Sequence, residues 1–262
     1  MKQSIFFINL CIFIFFLQTQ TSFAVEIHYQ KCRVRKTCGD LYISFPFFIP
    51  GQQEPYCGFP GFQVSCNEEN GFPVLQLAGD DYIIHNISYH DQTLVVSNAA
   101  LSNSRTAGCI PFVKNLTFPT DQYDLVPNQK ELFLLYNCNS SLVDESFSMN
   151  KLSCFEPNSS TSTSVLSLPG ELFANVSDKC GSNVVVAPVL DYATDGQLGS
   201  EEALSRGFMM KWIASDCSRC EDSGGKCGFD STTRCRIVAS TRPRTRLGVE
   251  PSAFLLDEYS GV

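Results

Sequence analysis

The sequence predicts a mainly β fold made of small disulfide-rich modules, with one short helix in the second module. Three observations carry this expectation. The chain has thirteen cysteines, and one of them, Cys11, lies in an N-terminal apolar leader, so an even set of twelve remains to pair in an oxidising compartment. Short β-prone runs alternate with turn residues from Leu41 to Ser97. Helix-start and helix-stop chemistry meets at one place, where Ser200 precedes Glu201 and Glu202 and Arg206 closes the turn.

Taken in chain order, Lys2 precedes an apolar run from Ile5 to Leu17 in which Asn9 is the polar member, and small residues follow at Ser22 and Ala24. This is the pattern of a secretory signal peptide over residues 1–24, too short to span a hydrocarbon core that needs roughly 20 apolar residues. Later apolar runs are broken within a few residues, which predicts no further membrane span and a secreted chain. The first module, residues 25–110, offers strands at Tyr42–Phe45, Phe62–Cys66, Val74–Ala78, Tyr82–Tyr89 and Thr93–Ser97. Asn70-Gly71 makes a hairpin of the second and third, and His90-Asp91-Gln92 makes one of the fourth and fifth. Pro46, Pro50, Pro55 and Pro60 turn the stretch between the first two strands into an ordered loop held by cysteines.

Residues 111–130, polar and carrying Pro111, Pro119 and Pro127, read as a linker. The second module, residues 131–236, offers strands at Leu132–Tyr136 and Val184–Leu190, a low-complexity loop at Asn158–Ser164, and the short helix capped by Ser200. Residues 237–262 gather Arg242, Arg244 and Arg246 around Pro243 without cysteine or periodicity and read as a basic, disordered tail.

The formal charge of −8 excludes a general nucleic-acid binder, and loss of Lys2 with the leader makes the mature chain more acidic still. Five Asn-x-Ser/Thr acceptors, at Asn86, Asn115, Asn139, Asn158 and Asn175, predict a glycosylated surface. The cysteines Cys32, Cys38, Cys57, Cys66, Cys109, Cys138, Cys154, Cys180, Cys217, Cys220, Cys227 and Cys235 are expected to form disulfides whose connectivity spacing does not reveal. Cys217-x-x-Cys220-x6-Cys227-x7-Cys235 would suit zinc in a reducing cytosol, but the leader places it where thiols oxidise, so no metal is expected.

Catalytic signatures fare no better. Asp222-Ser223-Gly224 is a single copy of a tripeptide that aspartic proteases need twice, and it reads as a turn. His28, His85 and His90 are the only imidazoles, and no serine stands in a nucleophile elbow beside them. Kinase phosphate-loop, lysine-strand and catalytic-loop motifs are missing, as are the alternating acids of a calcium loop around Asp191 and Asp195. The chain is therefore read as a binding protein without enzymatic machinery or cofactor. Its one concentrated charge feature is Lys31, Arg33, Arg35 and Lys36, four cations in six residues, set beside Cys32 and Cys38. Such a strip meets carboxylates of a polyanion, with arginine favouring bidentate contact, or else simply lies solvated. Tyr42, Tyr56 and Phe59 offer flat faces to sugar rings, although core packing explains them as well.

The cysteine framework resembles a known family. Cys32-x5-Cys38-Gly39, Ile43-Ser44-Phe45-Pro46-Phe47, Cys57-Gly58-Phe59-Pro60-Gly61-Phe62, Cys66 and Cys109-Ile110-Pro111 resemble the galacturonan-binding domain of plant wall-associated receptor kinases. Leu132-Phe133-x-x-Tyr136-Asn137-Cys138, Cys154, Cys180-Gly181, Val186-x-Pro188-Val189, Leu204-x-x-Gly207-Phe208-x-x-x-Trp212, Cys217-x-x-Cys220 and Ser223-Gly224-Gly225-x-Cys227-Gly228 are similar to the C-terminal domain that follows it in leaf-rust-resistance-type receptor-like kinases. The resemblance implies a first module that binds cell-wall pectin, with recognition of a peptide or another receptor ectodomain as the alternative. Trp212, the only tryptophan, falls in the second module and is the natural large plug for a small core. One departure is that Cys235 is followed by Arg236-Ile237 and the basic tail in place of a transmembrane helix and kinase, which implies a truncated or alternatively spliced ectodomain.

Overall fold

A computed structural model describes residues 30–66, 71–102, 112–138, 147, 150–153, 164–174, 176, 180, 184–191, 199–214, 217, 226–229 and 236–238. The leader, the sequons at Asn139, Asn158 and Asn175, the cysteines Cys109, Cys154, Cys220 and Cys235, and the tail beyond Val238 lie outside those residues.

The described chain is mainly β, as the alternation of apolar and turn residues predicts. In order, the strands are β1 (Lys36–Cys38), β2 (Leu41–Ile43), β3 (Val64–Cys66), β4 (Pro73–Leu77), β5 (Asp80–Ser88), β6 (Thr93–Asn98), β7 (Tyr123–Leu125), β8 (Lys130–Cys138), β9 (Lys151–Ser153), β10 (Ser164–Pro169), β11 (Val184–Val189), β12 (Phe208–Trp212), β13 (Lys226–Gly228) and β14 (Arg236–Val238). Two short helices, α1 (Gly170–Phe173) and α2 (Ser200–Arg206), interrupt them.

Six strands form one antiparallel sheet in the order β3-β4-β5-β6-β12-β7. Both hairpins expected from the sequence are present, β3 with β4 and β5 with β6. The β4–β5 hairpin closes through Ala78 and Gly79, both at positive φ, the twist a two-residue turn demands. Along β4 and β12 burial alternates residue by residue, so Leu75, Leu77, Phe208, Met210 and Trp212 face inward. The segment between β2 and β3 lies over that inner face and supplies Phe47, Ile49 and Phe62 to the same core. Trp212 meets Phe47 edge-on at 5.0 Å and Tyr89 at 5.9 Å.

This corrects two expectations. Trp212, read as part of the second module, completes the core of the six-stranded sheet. The stretch read as a linker is built into the fold as well: Tyr123 on β7 is buried, β7 pairs with β12, and Phe112 packs on Tyr136 at 5.0 Å. Sequence proximity misled because β12, far along the chain, wedges between β6 and β7.

The second sheet has the order β11-β8-β10-β9. Its central strand β8 is buried on both sides: Leu132 and Leu134 pack toward α2, while Leu135 packs with Leu166 and Leu168. Phe133 stacks on Phe173 of α1 at 4.7 Å. The helix expected in the second module is α2, the longest of those described, and α1 and helical turns at 30–33 and 99–102 accompany it. Ser200 does not cap α2; Gly199 holds the N-cap position without a side-chain hydrogen bond, and Ser200 Oγ donates to the Ser167 carbonyl at 3.4 Å. Gly207 ends α2 at positive φ with its Cα against the Val96 carbonyl, a position a Cβ could not share, and the chain enters β12. Arg236–Val238 pairs with β13, so the chain after Cys235 begins as a strand and not as tail.

Candidate functional site

The predicted basic strip lies on the segment leading into the β1–β2 hairpin, and two disulfides pin that segment. Cys32, in the helical turn at 30–33, is bridged to Cys57, and Cys38 on β1 is bridged to Cys66 on β3. Each closed loop typically contributes about 2–4 kcal/mol by restricting the unfolded chain, and here the loops also fix the cations between them. Further bridges join Cys138 to Cys180 and Cys217 to Cys227, so eight of the twelve expected cysteines are seen paired. The pairing of Cys217 with Cys227 uses as a disulfide two of the four sulfurs that spacing alone would offer to zinc.

The four cations do not act alike. Lys31 Nζ lies 2.6 Å from Glu54 Oε1, and this hydrogen bond and charge raise the ammonium pKa. Tyr56 shares that corner, where loss of solvent raises its phenol and the neighbouring Lys31 opposes the rise. Arg33 and Arg35 are exposed and form no ion pair among the described residues, and Lys36 is half-buried at the start of β1. An exposed guanidinium without a carboxylate of its own is available to bind one from outside. Asp40, exposed in the turn of the same hairpin, tempers the positive field there.

The three aromatic candidates separate as sharply. Tyr42 is 59% exposed and stands across the hairpin from Thr37, on the same outer face. Its backbone is held, since Tyr89 Oη donates to the Tyr42 carbonyl at 2.9 Å and accepts from the Ser44 N–H at 2.8 Å. Tyr56 is half-buried. Phe59 belongs to the core layer, meeting Phe229 at 5.1 Å and Phe62 at 5.7 Å, both edge-on. Phe72, which sequence reading passed over, is 53% exposed; the preceding Gly71 abuts Gly39 in the β1–β2 turn, which brings it toward the hairpin. The Asn70-Gly71 turn was the available signal, because a residue flanking a tight turn seldom enters a core.

The remaining polar candidates have structural roles. His85 Nε2 lies 2.7 Å from Ser97 Oγ, which lies 2.7 Å from Ser102 Oγ, and the ring also bonds the Ser205 backbone of α2. Ser97 is fully buried, and this chain of hydrogen bonds ties β5 and β6 to the helix. His90 pairs with Asp91 at 2.9 Å in solvent, and Asp91 is thereby held below the usual carboxylate range. Asp191 pairs with Lys130 at 2.8 Å. Asn86 and Asn115 are exposed, with Asn115 Oδ1 accepting the Val186 N–H at 2.8 Å. No helix among the described residues is long and apolar enough to cross a membrane.

Comparison with known proteins gives this geometry a context. Residues 32–98 match the family of the wall-associated receptor kinase galacturonan-binding module, and residues 137–237 match the wall-associated receptor kinase C-terminal module. The second match includes β12, which the fold places in the six-stranded sheet. A leaf rust 10 disease-resistance locus receptor-like protein kinase-like 1.2 of Arabidopsis thaliana is 32% identical over 84% of this chain and 34% of its own length. The 2.8 member of that series, also from Arabidopsis thaliana, is 30% identical over 78% of this chain and 24% of its own length. A RING-H2 finger protein of the same plant is 23% identical over 87% of this chain and 59% of its own length. The chain thus spans about a third of the length of one kinase and about a quarter of the other, and the part of them that it matches is extracellular. No solved structure matches it.

Proposed function

The chain belongs to the family of wall-associated receptor kinase extracellular regions, and from that premise we propose that it binds acidic pectin, a homogalacturonan or oligogalacturonide, in the cell wall after secretion. The observation that carries the reading is the pair Arg33 and Arg35, exposed and without an acidic partner among the described residues, on a segment held by two disulfides, with Tyr42 exposed on the adjoining hairpin. A galacturonan presents one carboxylate per sugar along an extended chain. Two guanidiniums two residues apart can meet successive carboxylates, and an aromatic ring beside them can receive the apolar face of a sugar. Lys31, already bonded to Glu54, contributes less, and Phe59 serves the core.

Binding to immobilised, de-esterified polygalacturonate at rising salt tests this. The double variant Arg33→Gln, Arg35→Gln should weaken binding at least about tenfold, since each charge-assisted contact is worth roughly 1.5–3 kcal/mol. Methyl-esterified pectin should bind poorly, and salt should release the complex. Retention indifferent to salt, esterification and the double variant would sink the electrostatic account.

A second reading has its own observation. Val34, within the strip, and Phe72, which follows Gly71 where it abuts the hairpin's turn, are exposed apolar side chains, and such groups favour a peptide or another ectodomain over a polyanion. A RING-H2 finger protein carries a region similar to this one, so the module is not confined to kinases. A glycan array that stays blank while a partner protein is captured specifically through Phe72 would select this alternative.

A further inference from the structure

We propose that Asn86 carries an N-linked glycan, and that this glycan covers the outer face of the six-stranded sheet. The argument begins with parity. Along β5, Tyr82 and Ile84 face the core, so an unbroken strand would turn Asn86 inward as well. The register with β6 slips between Ile84 and Asn86: Ile84 lies opposite Val96 and Asn86 opposite Val95, which leaves His85 as the extra residue of a bulge. The bulge reverses the alternation, so that Ile87 packs on the core and Asn86 is exposed on the outside. A single extra residue thus places a glycosylation acceptor where a sugar can be attached and retained in the fold.

The surroundings of Asn86 supply an independent reason for a cover. An antiparallel sheet with one face in the core is normally polar on the other. Here the outward positions of four neighbouring strands include Val74, Ile83, Val95 and Met209, all half-buried. Val74 lies opposite Ile83, and Asn86, Val95 and Met209 form one cross-strand row. Among the described residues α2 covers only the Ser97 end of this face, through His85 and the Ser205 backbone. A glycan rooted at Asn86 stands at one end of the Val95–Met209 row and can lay the C–H faces of its first sugars over them. It projects from the side of the sheet opposite the layer formed by residues 43–62, and therefore leaves the arginine-bearing segment open.

In the transfer, Asn86 Nδ2 forms a bond to the anomeric carbon of a lipid-pyrophosphate-linked oligosaccharide. The anomeric C–O bond breaks, the lipid pyrophosphate leaves with the electron pair, and the amide nitrogen gives up one proton to a base. The sequon is completed by Ser88, whose hydroxyl donates to Asp91 Oδ2 at 2.7 Å in the finished fold.

The inference rests on the extracellular placement proposed above and not on the pectin ligand; a chain that ignores polygalacturonate but carries sugar at Asn86 separates the two. Secretion of the full chain from cultured animal cells, followed by peptide mapping before and after treatment with peptide-N-glycosidase, reads the site directly. The expected result is a glycan on the Asn86 peptide and conversion of Asn86 to aspartate on its removal. Asn86→Gln and Ser88→Ala should both abolish the modification, Ser88→Thr should keep it, and enzymatic deglycosylation should raise binding of a hydrophobic dye several-fold. An unmodified Asn86 in the wild-type product overturns the proposal, and a glycan whose removal leaves dye binding and self-association unchanged overturns its covering role.

Discussion

The two sheets of this molecule reach burial by different routes. The six-stranded sheet closes on rings, with Phe47, Phe62, Tyr82, Tyr123, Phe208 and Trp212 in one core. The four-stranded sheet closes on leucine and valine from β8, β10 and β11. Their chain paths differ in the same sense. The aliphatic sheet is drawn from one continuous stretch, 130–189, whereas the aromatic sheet needs 64–98, 123–125 and then 208–212. The second sheet is therefore nested within the first along the chain. A region matching one family model is structurally complete only when a strand from the other match arrives.

The harshest way to break this comparison is truncation. A chain ending after Val126 keeps all of the galacturonan-binding match but loses β12, so β6 and β7 have no common neighbour and Trp212 is gone from the core. It should show no cooperative urea transition and no near-ultraviolet dichroism; a sharp transition would mean that the nesting is incidental. Single truncations of side chains sharpen the contrast. Trp212→Ala should cost about 3–5 kcal/mol and Leu134→Ala about 2–5 kcal/mol. The informative measurement is tyrosine and phenylalanine dichroism beside equilibrium unfolding: loss of Trp212 should disturb the first sheet's rings, while loss of Leu134 should leave them ordered.

The smallest effect sits where α2 bridges the two. Loss of solvent pushes the His85 ring below its usual range, and the Ser205 backbone only partly offsets this. A histidine depressed in the native state binds fewer protons there than in the unfolded chain, so its contribution is intact above the unfolded value of about 6.5 and declines as pH falls below it. Melting temperature should accordingly drop on acidification, and His85→Asn should flatten that slope. An unchanged slope would remove His85 from the account.

Much of the fold was legible because local chemistry and tertiary structure agree. Alternation marked β4, β5 and β6, and turn residues marked two hairpins at their ends. The β4–β5 turn escaped notice because Ala78 holds a positive φ that asparagine or glycine usually announces. The place of Trp212 was hidden for another reason: periodicity tells which face of a strand is buried, not which neighbour it pairs with. The candidate site was legible in composition but not in availability. Four cations stood out in the sequence, yet only the fold shows that Glu54 engages Lys31 and that Phe59 turns inward. The exposure of Asn86 was equally invisible, since it depends on one slipped register beside His85.

The two bridges around the basic segment overlap, Cys32 to Cys57 and Cys38 to Cys66, so neither loop closes before the other opens. A protease that severs the backbone at Arg33 or Arg35 leaves the piece bearing Cys32 fastened through Cys57, and the piece bearing Cys38 fastened through Cys66. The arginines invite trypsin-like cleavage, but a single clip there does not shed them. The segment thus outlasts a single break in its own main chain, because the two bridges go on holding both ends of the cut.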